Sequence, residues 1–123
     1  MPLPQLNFVM LFVEDPIKSS VFYRCLLNTE AIEESATFAM IALGNGIMLG
    51  LWSPKTANPP DSVHGGGSEI VFCEQDVDGL YDKWLRLGVF MAMPPTDMEF
   101  GRTFVALDPD GHRIRVYAPI KES

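Results

Sequence analysis

Two stretches of the chain, about half its length apart, can be laid over each other without a gap: Phe8-Val9-Met10-Leu11-Phe12-Val13-Glu14-Asp15 against Glu69-Ile70-Val71-Phe72-Cys73-Glu74-Gln75-Asp76. Further on, setting Gly46 against Gly111 pairs Ile47 to Trp52 with His112 to Tyr117, and Thr37-Phe38 answers Thr103-Phe104. Matches that recur in the same order over this much sequence mean one supersecondary unit used twice. The unit reads as strand, helix, then three strands. An α+β fold of two βαβββ units is therefore expected, the first over residues 6–53 and the second over residues 68–118.

Each unit carries its own local signals. Leu6 to Glu14 alternates Phe8, Met10 and Phe12 with Val9, Leu11 and Val13, so both faces of this strand are apolar and both are expected to be covered. Asp15 caps a helix that opens on Pro16 and runs through Ile17, Val21, Tyr23, Arg24 and Leu27 to Asn28. Strands are expected at Thr29 to Glu34 and Ala36 to Leu43, then Gly44-Asn45-Gly46 turns the chain into a strand at Ile47 to Ser53. In the second unit, Asp76 caps a helix from Val77 to Leu87 with Leu80, Trp84 and Leu87 on one stripe and Gly88 as its stop. A strand at Val89 to Met93 is expected to end at Pro94-Pro95, in a loop that reaches Gly101. The last hairpin, Arg102 to Tyr117, turns on Asp108-Pro109-Asp110-Gly111. Residues 54–67, with three prolines and three consecutive glycines, read as a flexible linker.

A unit of some sixty residues buries only roughly 60% of its surface and is marginal alone, so the halves need each other or a second copy of the chain. With 47% apolar residues there is enough material for a core. A net charge of −7, with nine Lys and Arg scattered along 123 residues, supplies no basic stripe and argues against nucleic acid and anionic membrane as partners. No apolar run reaches the ~20 residues of a membrane helix, and Met1-Pro2-Leu3-Pro4 lacks the layout of a secretory signal, so a cytoplasmic location is expected. Cys25 and Cys73 have no CxxC partner and read as small buried hydrophobes. His64 and His112 read as surface residues rather than bases or ligands. Asp97 and Glu99 are either solvated or carboxylate bases. No phosphate-cradling glycine motif is present, because Gly65-Gly66-Gly67 lacks a following helix and Lys.

The two βαβββ units, the Asp15 and Asp76 helix starts and the run Asp108-Pro109-Asp110-Gly111-His112 resemble the vicinal oxygen chelate superfamily, the home of glyoxalase I, bleomycin-resistance proteins and extradiol dioxygenases. The resemblance covers Leu6 to Ala118. It implies two sheets that curl around a shared cavity, a homodimer with strand- or domain-swapped pairing, and, in the enzymes, a divalent metal held by four side chains from the first and last strands of each unit. Those four positions fall here on Phe8, Gly50, Glu69 and Arg115. Only Glu69 offers an oxygen donor suited to such an ion. No metal or other cofactor is therefore expected, and a catalytic residue is not assigned.

Two alternatives remain for the charged pair: Glu69 and Arg115 form a bidentate ion pair in place of the metal, or they point to water. By alternation the cavity face carries Phe8, Met10, Phe12, Met48, Trp52, Val71, Cys73, Arg113, Arg115 and Tyr117, an aromatic and methionine lining that fits either a packed core or a flat apolar ligand. Gly50, lacking a side chain, leaves either a void or room for that ligand. Arg102 would supply a cation at the rim. Leu51-Trp52-Ser53, Ser68-Glu69-Ile70 and Phe100-Gly101-Arg102-Thr103-Phe104 bring the chain nearest to the metal-free, antibiotic-binding branch of the superfamily. That branch implies sequestration of a planar aromatic small molecule of phenazine or bleomycin type, with Trp52 stacking on it. The competing expectation is a metal-dependent glyoxalase, lyase or dioxygenase.

Overall fold

The computed structural model describes residues 3–120, so Met1 and Pro2 of the leader and residues 121–123 of the tail lie outside the described residues. The chain divides into two compact units at Val63–His64. In the first, β1 (Phe8–Phe12) leads into α1 (Pro16–Leu27), followed by β2 (Ala31–Glu34), β3 (Phe38–Gly44) and β4 (Ile47–Trp52). The second repeats this with β5 (Glu69–Cys73), α2 (Val77–Arg86), β6 (Phe90–Met98), β7 (Gly101–Leu107) and β8 (Arg113–Pro119). Each unit forms one mixed sheet, ordered β1-β4-β3-β2 and β5-β8-β7-β6, in which the first strand runs parallel to the last.

The registers reproduce the sequence repeat residue for residue. Phe8 pairs with Met48, Met10 with Gly50 and Phe12 with Trp52; at the matching positions Glu69 pairs with Arg113, Val71 with Arg115 and Cys73 with Tyr117. Since neighbours across a sheet share a face, one face of each sheet is fixed by these pairs. The opposite face lies under the helix. In the first unit it buries Leu11, Val13, Ala39, Ile41, Leu49 and Leu51; in the second it buries Phe104, Ala106, Ile114 and Val116.

The turns follow from residue chemistry. Asn45 and Gly46 both take positive φ (53° and 77°), the geometry a two-residue hairpin needs to match strand twist. At the other hairpin the Gly111 N–H donates to the Asp108 carbonyl (3.0 Å). Asp108 as a residue is only 4% exposed, and its carboxylate accepts from the N–H groups of Asp110 (2.9 Å) and His112 (2.8 Å). Asp108 is thus the internal brace of the turn.

Asp15 accepts from the N–H groups of Ile17 and Lys18, and Asp76 from that of Gly79, so both helix starts are capped as expected. After α2 the Val89 N–H reaches back to the Trp84 carbonyl (3.1 Å) across Gly88, whose φ is +85°.

The structure adds the packing of α1 and corrects expectations for α2, β6 and the cysteines. The buried stripe of α1 is Pro16, Ser19, Ser20, Tyr23 and Leu26, whereas Ile17 and Val21 face outward. Two serines let the helix lie close to the sheet, and Ser20 and Arg24 tie it to Glu34 of β2. Leu87 is exposed, because α2 ends at Arg86 and the chain turns before the stripe returns to the core. Pro94 and Pro95 do not end β6. They sit where its pairing with β7 shifts, on an edge strand where a missing N–H costs no ladder bond. The supposed loop is therefore strand up to Met98, and Asp97 pairs directly with Arg102. Strand β8 runs through Pro119, one residue past the expected end of the second unit at residue 118.

Cys25 and Cys73 are exposed free thiols, not buried hydrophobes; Cys25 lies on the outer side of α1 and Cys73 on the uncovered face of β5. Among the described residues no helix is long and apolar enough to cross a membrane.

Candidate functional site

The uncovered sheet face of the first unit carries Phe8, Met10 and Phe12 from β1, Met48, Gly50 and Trp52 from β4, and Phe38 and Met40 from β3. None of these side chains is charged. Met10 is 37% exposed and most of the others are half-buried, so the face is apolar yet accessible.

Trp52 is its most constrained member. Its indole N–H donates to Thr56 Oγ1 (3.1 Å), and that hydroxyl donates to the Ser53 carbonyl (3.2 Å). Phe12 lies nearly parallel to it (centroids 6.2 Å apart, 24°) and Phe38 edge-on (6.3 Å, 87°). An indole held by a hydrogen bond at one end and by rings on its flanks presents a fixed surface.

The expectation of empty space at Gly50 is not met. A Cβ there would lie 2.5 Å from Phe8 Cε1 and 2.7 Å from Met10 Sδ, so the neighbouring side chains already cover the glycine.

In the second unit the matching face is built from Glu69, Val71, Cys73, Arg113, Arg115 and Tyr117, with Thr103 and Val105 of β7 beside them. The ion pair offered as one alternative forms, and it is bidentate: Arg115 Nε donates to Glu69 Oε1 (2.7 Å) and Nη2 to Oε2 (3.0 Å). Arg113 Nη2 adds a third contact to Oε2 (2.7 Å). Hydrogen bonding from Arg115, with the charges of both arginines, holds the Glu69 carboxyl below the usual carboxylate range despite partial burial. Glu69 in turn raises Arg115. Arg115 Nη1 also donates to Thr103 Oγ1 (3.2 Å), and the fully buried Thr103 hydroxyl donates a hydrogen bond to the Val116 carbonyl (2.8 Å).

Phe100, in the turn between β6 and β7, was not assigned to a site from the sequence. Its ring meets Tyr117 edge-on (6.1 Å), with the Arg115 guanidinium 6.0 Å from its centroid. The turn length, which places the ring over β8, is not visible in the residues themselves.

Arg102 does not belong to this face. It pairs with Ala118 in β8, on the helix side of the sheet, where Asp78 of α2 grips it with two bonds (2.9 and 3.0 Å) and Asp97 with a third (2.9 Å). Those bonds raise its pKa and lower that of Asp78. It fastens α2 to β6 and β7 and has no spare charge for a ligand. Asp97 is likewise engaged rather than poised as a base.

A family model described as the Glyoxalase/Bleomycin resistance protein/Dioxygenase superfamily matches residues 5–116. The chain belongs to this superfamily. A phenazine antibiotic resistance protein, EhpR of Enterobacter agglomerans, is 29% identical over 118 residues, covering 89% of this chain and 88% of the relative. The solution structure of ATC0852 from Agrobacterium tumefaciens is 43% identical, covers 97% of this chain and all of its own, and superposes with a TM-score of 0.87. A lactoylglutathione lyase from the same organism, 20% identical with 95% of each chain covered and a TM-score of 0.75, shares the fold.

Enzymes of the superfamily imply a divalent metal, and the residues here do not fit one. The two metal positions of the first unit are a phenyl ring lying over a glycine. In the second, both oxygens of Glu69 are taken by guanidinium groups, and a guanidinium offers no lone pair. Among the described residues no three His, Cys, Asp or Glu side chains come together.

Proposed function

We propose that this protein binds and sequesters a planar aromatic small molecule, in the manner of antibiotic resistance, without chemical turnover. The observation that carries the reading is the uncharged aromatic and methionine face around a locked Trp52. Phe8, Phe12 and Trp52 offer ring surfaces for stacking, while Met10 and Met48 adapt to ligand shape. Gly50 keeps that face flat. Within the second unit, Glu69 and Arg115, with Tyr117, form a separate polar face. Similarity to a protein named for phenazine resistance supports a ligand of phenazine type. A second copy of the chain is part of the proposal, supported by exposed apolar side chains such as Met10 and Val71 on the uncovered faces. A cytoplasmic address is supported by two exposed free thiols.

The test is a phenazine titration followed by tryptophan fluorescence. Trp84 is buried against Phe104 and shielded, so Trp52 should report. Trp52→Ala should abolish the quenching and weaken binding about tenfold or more, the equivalent of about 1.5 kcal/mol of stacking. Quenching that survives Trp52→Ala, or turnover abolished by a chelator, overturns the reading.

A further inference from the structure

The charges on the uncovered face of the second unit do not balance. One carboxylate, Glu69, faces two guanidinium groups, Arg113 and Arg115, and the two arginines differ in how they are held. Arg115 is 17% exposed and engages Glu69 through two nitrogens and Thr103 through the third. Arg113 is 42% exposed and meets Glu69 through Nη2 alone. Its Nε is buried and has no hydrogen-bond partner among the described residues. An orphaned donor of this kind calls for an explanation, and the half-exposed remainder of the guanidinium is the part that a ligand can reach.

A pocket of about 290 Å³ opens beside this arginine, lined by Gly67, Ser68, Glu69 and Arg113. It is held in shape from behind: Gly65 packs so closely on the Gly111 carbonyl that no Cβ would fit, which pins the glycine segment to the Asp108–Gly111 turn. The volume lies just below the roughly 300–1,000 Å³ usual for small-molecule sites and is enough for an aromatic ring with its substituent.

We infer that this pocket takes the carboxylate end of an aromatic acid, with Arg113 as its counter-ion and the Ser68 hydroxyl as a second donor. The inference rests on the aromatic-ligand reading above and narrows it: the aromatic ligand carries a carboxylate. Glu69 keeps Arg115 occupied, so the surplus positive charge resides on Arg113. A planar guanidinium matches a carboxylate with two parallel hydrogen bonds, a geometry that a spherical or tetrahedral anion uses less well. The same chemistry could be met by free phosphate, and the test separates the two sources.

The experiment is a ¹H–¹⁵N NMR titration of the full chain with benzoate, with its neutral isostere benzamide and with inorganic phosphate. Benzoate should shift the Gly67 and Ser68 amides and the Arg113 Nε–H signal saturably, at least about tenfold more tightly than benzamide, and less tightly as salt is added. Arg113→Gln should remove the preference for benzoate, and Arg113→Lys should restore only part of it. Equal binding of benzamide, a preference that survives Arg113→Gln, or phosphate binding as tight as benzoate each overturns the inference. Its fate is separable from that of the reading it narrows. Benzoate binding at Arg113 without phenazine quenching of Trp52 would leave the anion pocket standing alone, whereas the reverse would leave a neutral-ligand site.

Discussion

Replacing Glu69 by Gln removes one negative charge and keeps the side chain's size. The carboxylate accepts three charge-assisted contacts, two from Arg115 and one from Arg113, at 2.7–3.0 Å. Gln would turn an N–H₂ toward donors that need an acceptor, leaving Arg115, 17% exposed, with an uncompensated charge. Exposed ion pairs contribute roughly 0–1 kcal/mol, and breaking a fully buried one costs about 3–5 kcal/mol. At these exposures a loss of about 2 kcal/mol is expected. With an unfolding entropy of roughly 2.1 cal/mol/K per residue, that lowers Tm by about 8 °C.

The pH dependence has a definite sign. Because the folded-state pKa of Glu69 is depressed, its contribution is fully present above the ordinary value of 4.5 and fades as pH falls below it. The gap between wild type and Glu69→Gln, measured by urea or thermal unfolding, should therefore be widest near neutrality and shrink as pH falls through and below the ordinary value of 4.5. Adding Arg115→Met should give a double variant less destabilised than the sum of the singles by about 1–2 kcal/mol, since the stranded charge is gone. A Glu69→Gln variant within about 0.5 kcal/mol of wild type, or a gap that does not change with pH, would show that solvent screens the cluster and would refute the reasoning.

Arg102→Ala should leave aromatic-ligand and benzoate binding unchanged, because Arg102 lies on the helix side of the sheet; its small stability effect should vanish in high salt, which unfolding curves at two ionic strengths will show. Gly101→Ala should destabilise by about 2 kcal/mol or more, since φ is +144° and the new methyl would collide with the Ala118 carbonyl at the start of the β7–β8 ladder, and a thermal melt reads this directly.

The parts of the fold written as a repeat were legible before any coordinates. Aligning Phe8 with Glu69 and Gly46 with Gly111 anticipates the strand registers on both sheets, because the side-chain period of two leaves no freedom once one pair is fixed. The Glu69–Arg115 pair was legible for the same reason, although not as the settled alternative. What failed depends on contacts that pattern does not encode. Two prolines were tolerated in β6 because its edge lacks a partner, a fact about neighbours rather than residues. Arg102 was misplaced because one residue's parity along β7 decides between ligand side and helix side, and the strand start was set too loosely to fix it. Phe100 was missed because a turn, not a strand, aims its ring.

One rule holds in both units although the residues differ. In each, the side chain from the start of the first strand reaches diagonally across to the last strand: Phe8 lies over Gly50, and Glu69 grips Arg115. The geometry that brings two ligands together in a metal site is thus intact, and only its chemistry has changed. A divalent ion placed at Glu69 would have to displace a guanidinium from each carboxylate oxygen and then remain near both. At about 5 Å and an effective dielectric of about 20, each arginine repels such an ion by about 6–7 kcal/mol before solvent screening, which Arg113, 42% exposed, feels most. At about 2.2 Å a single carboxylate offsets roughly what the two arginines cost and leaves almost nothing toward the ion's lost hydration. The same two arginines that repel a cation attract an anion, and this common origin links the poor fit to a metal in this chain with the carboxylate pocket inferred beside Arg113.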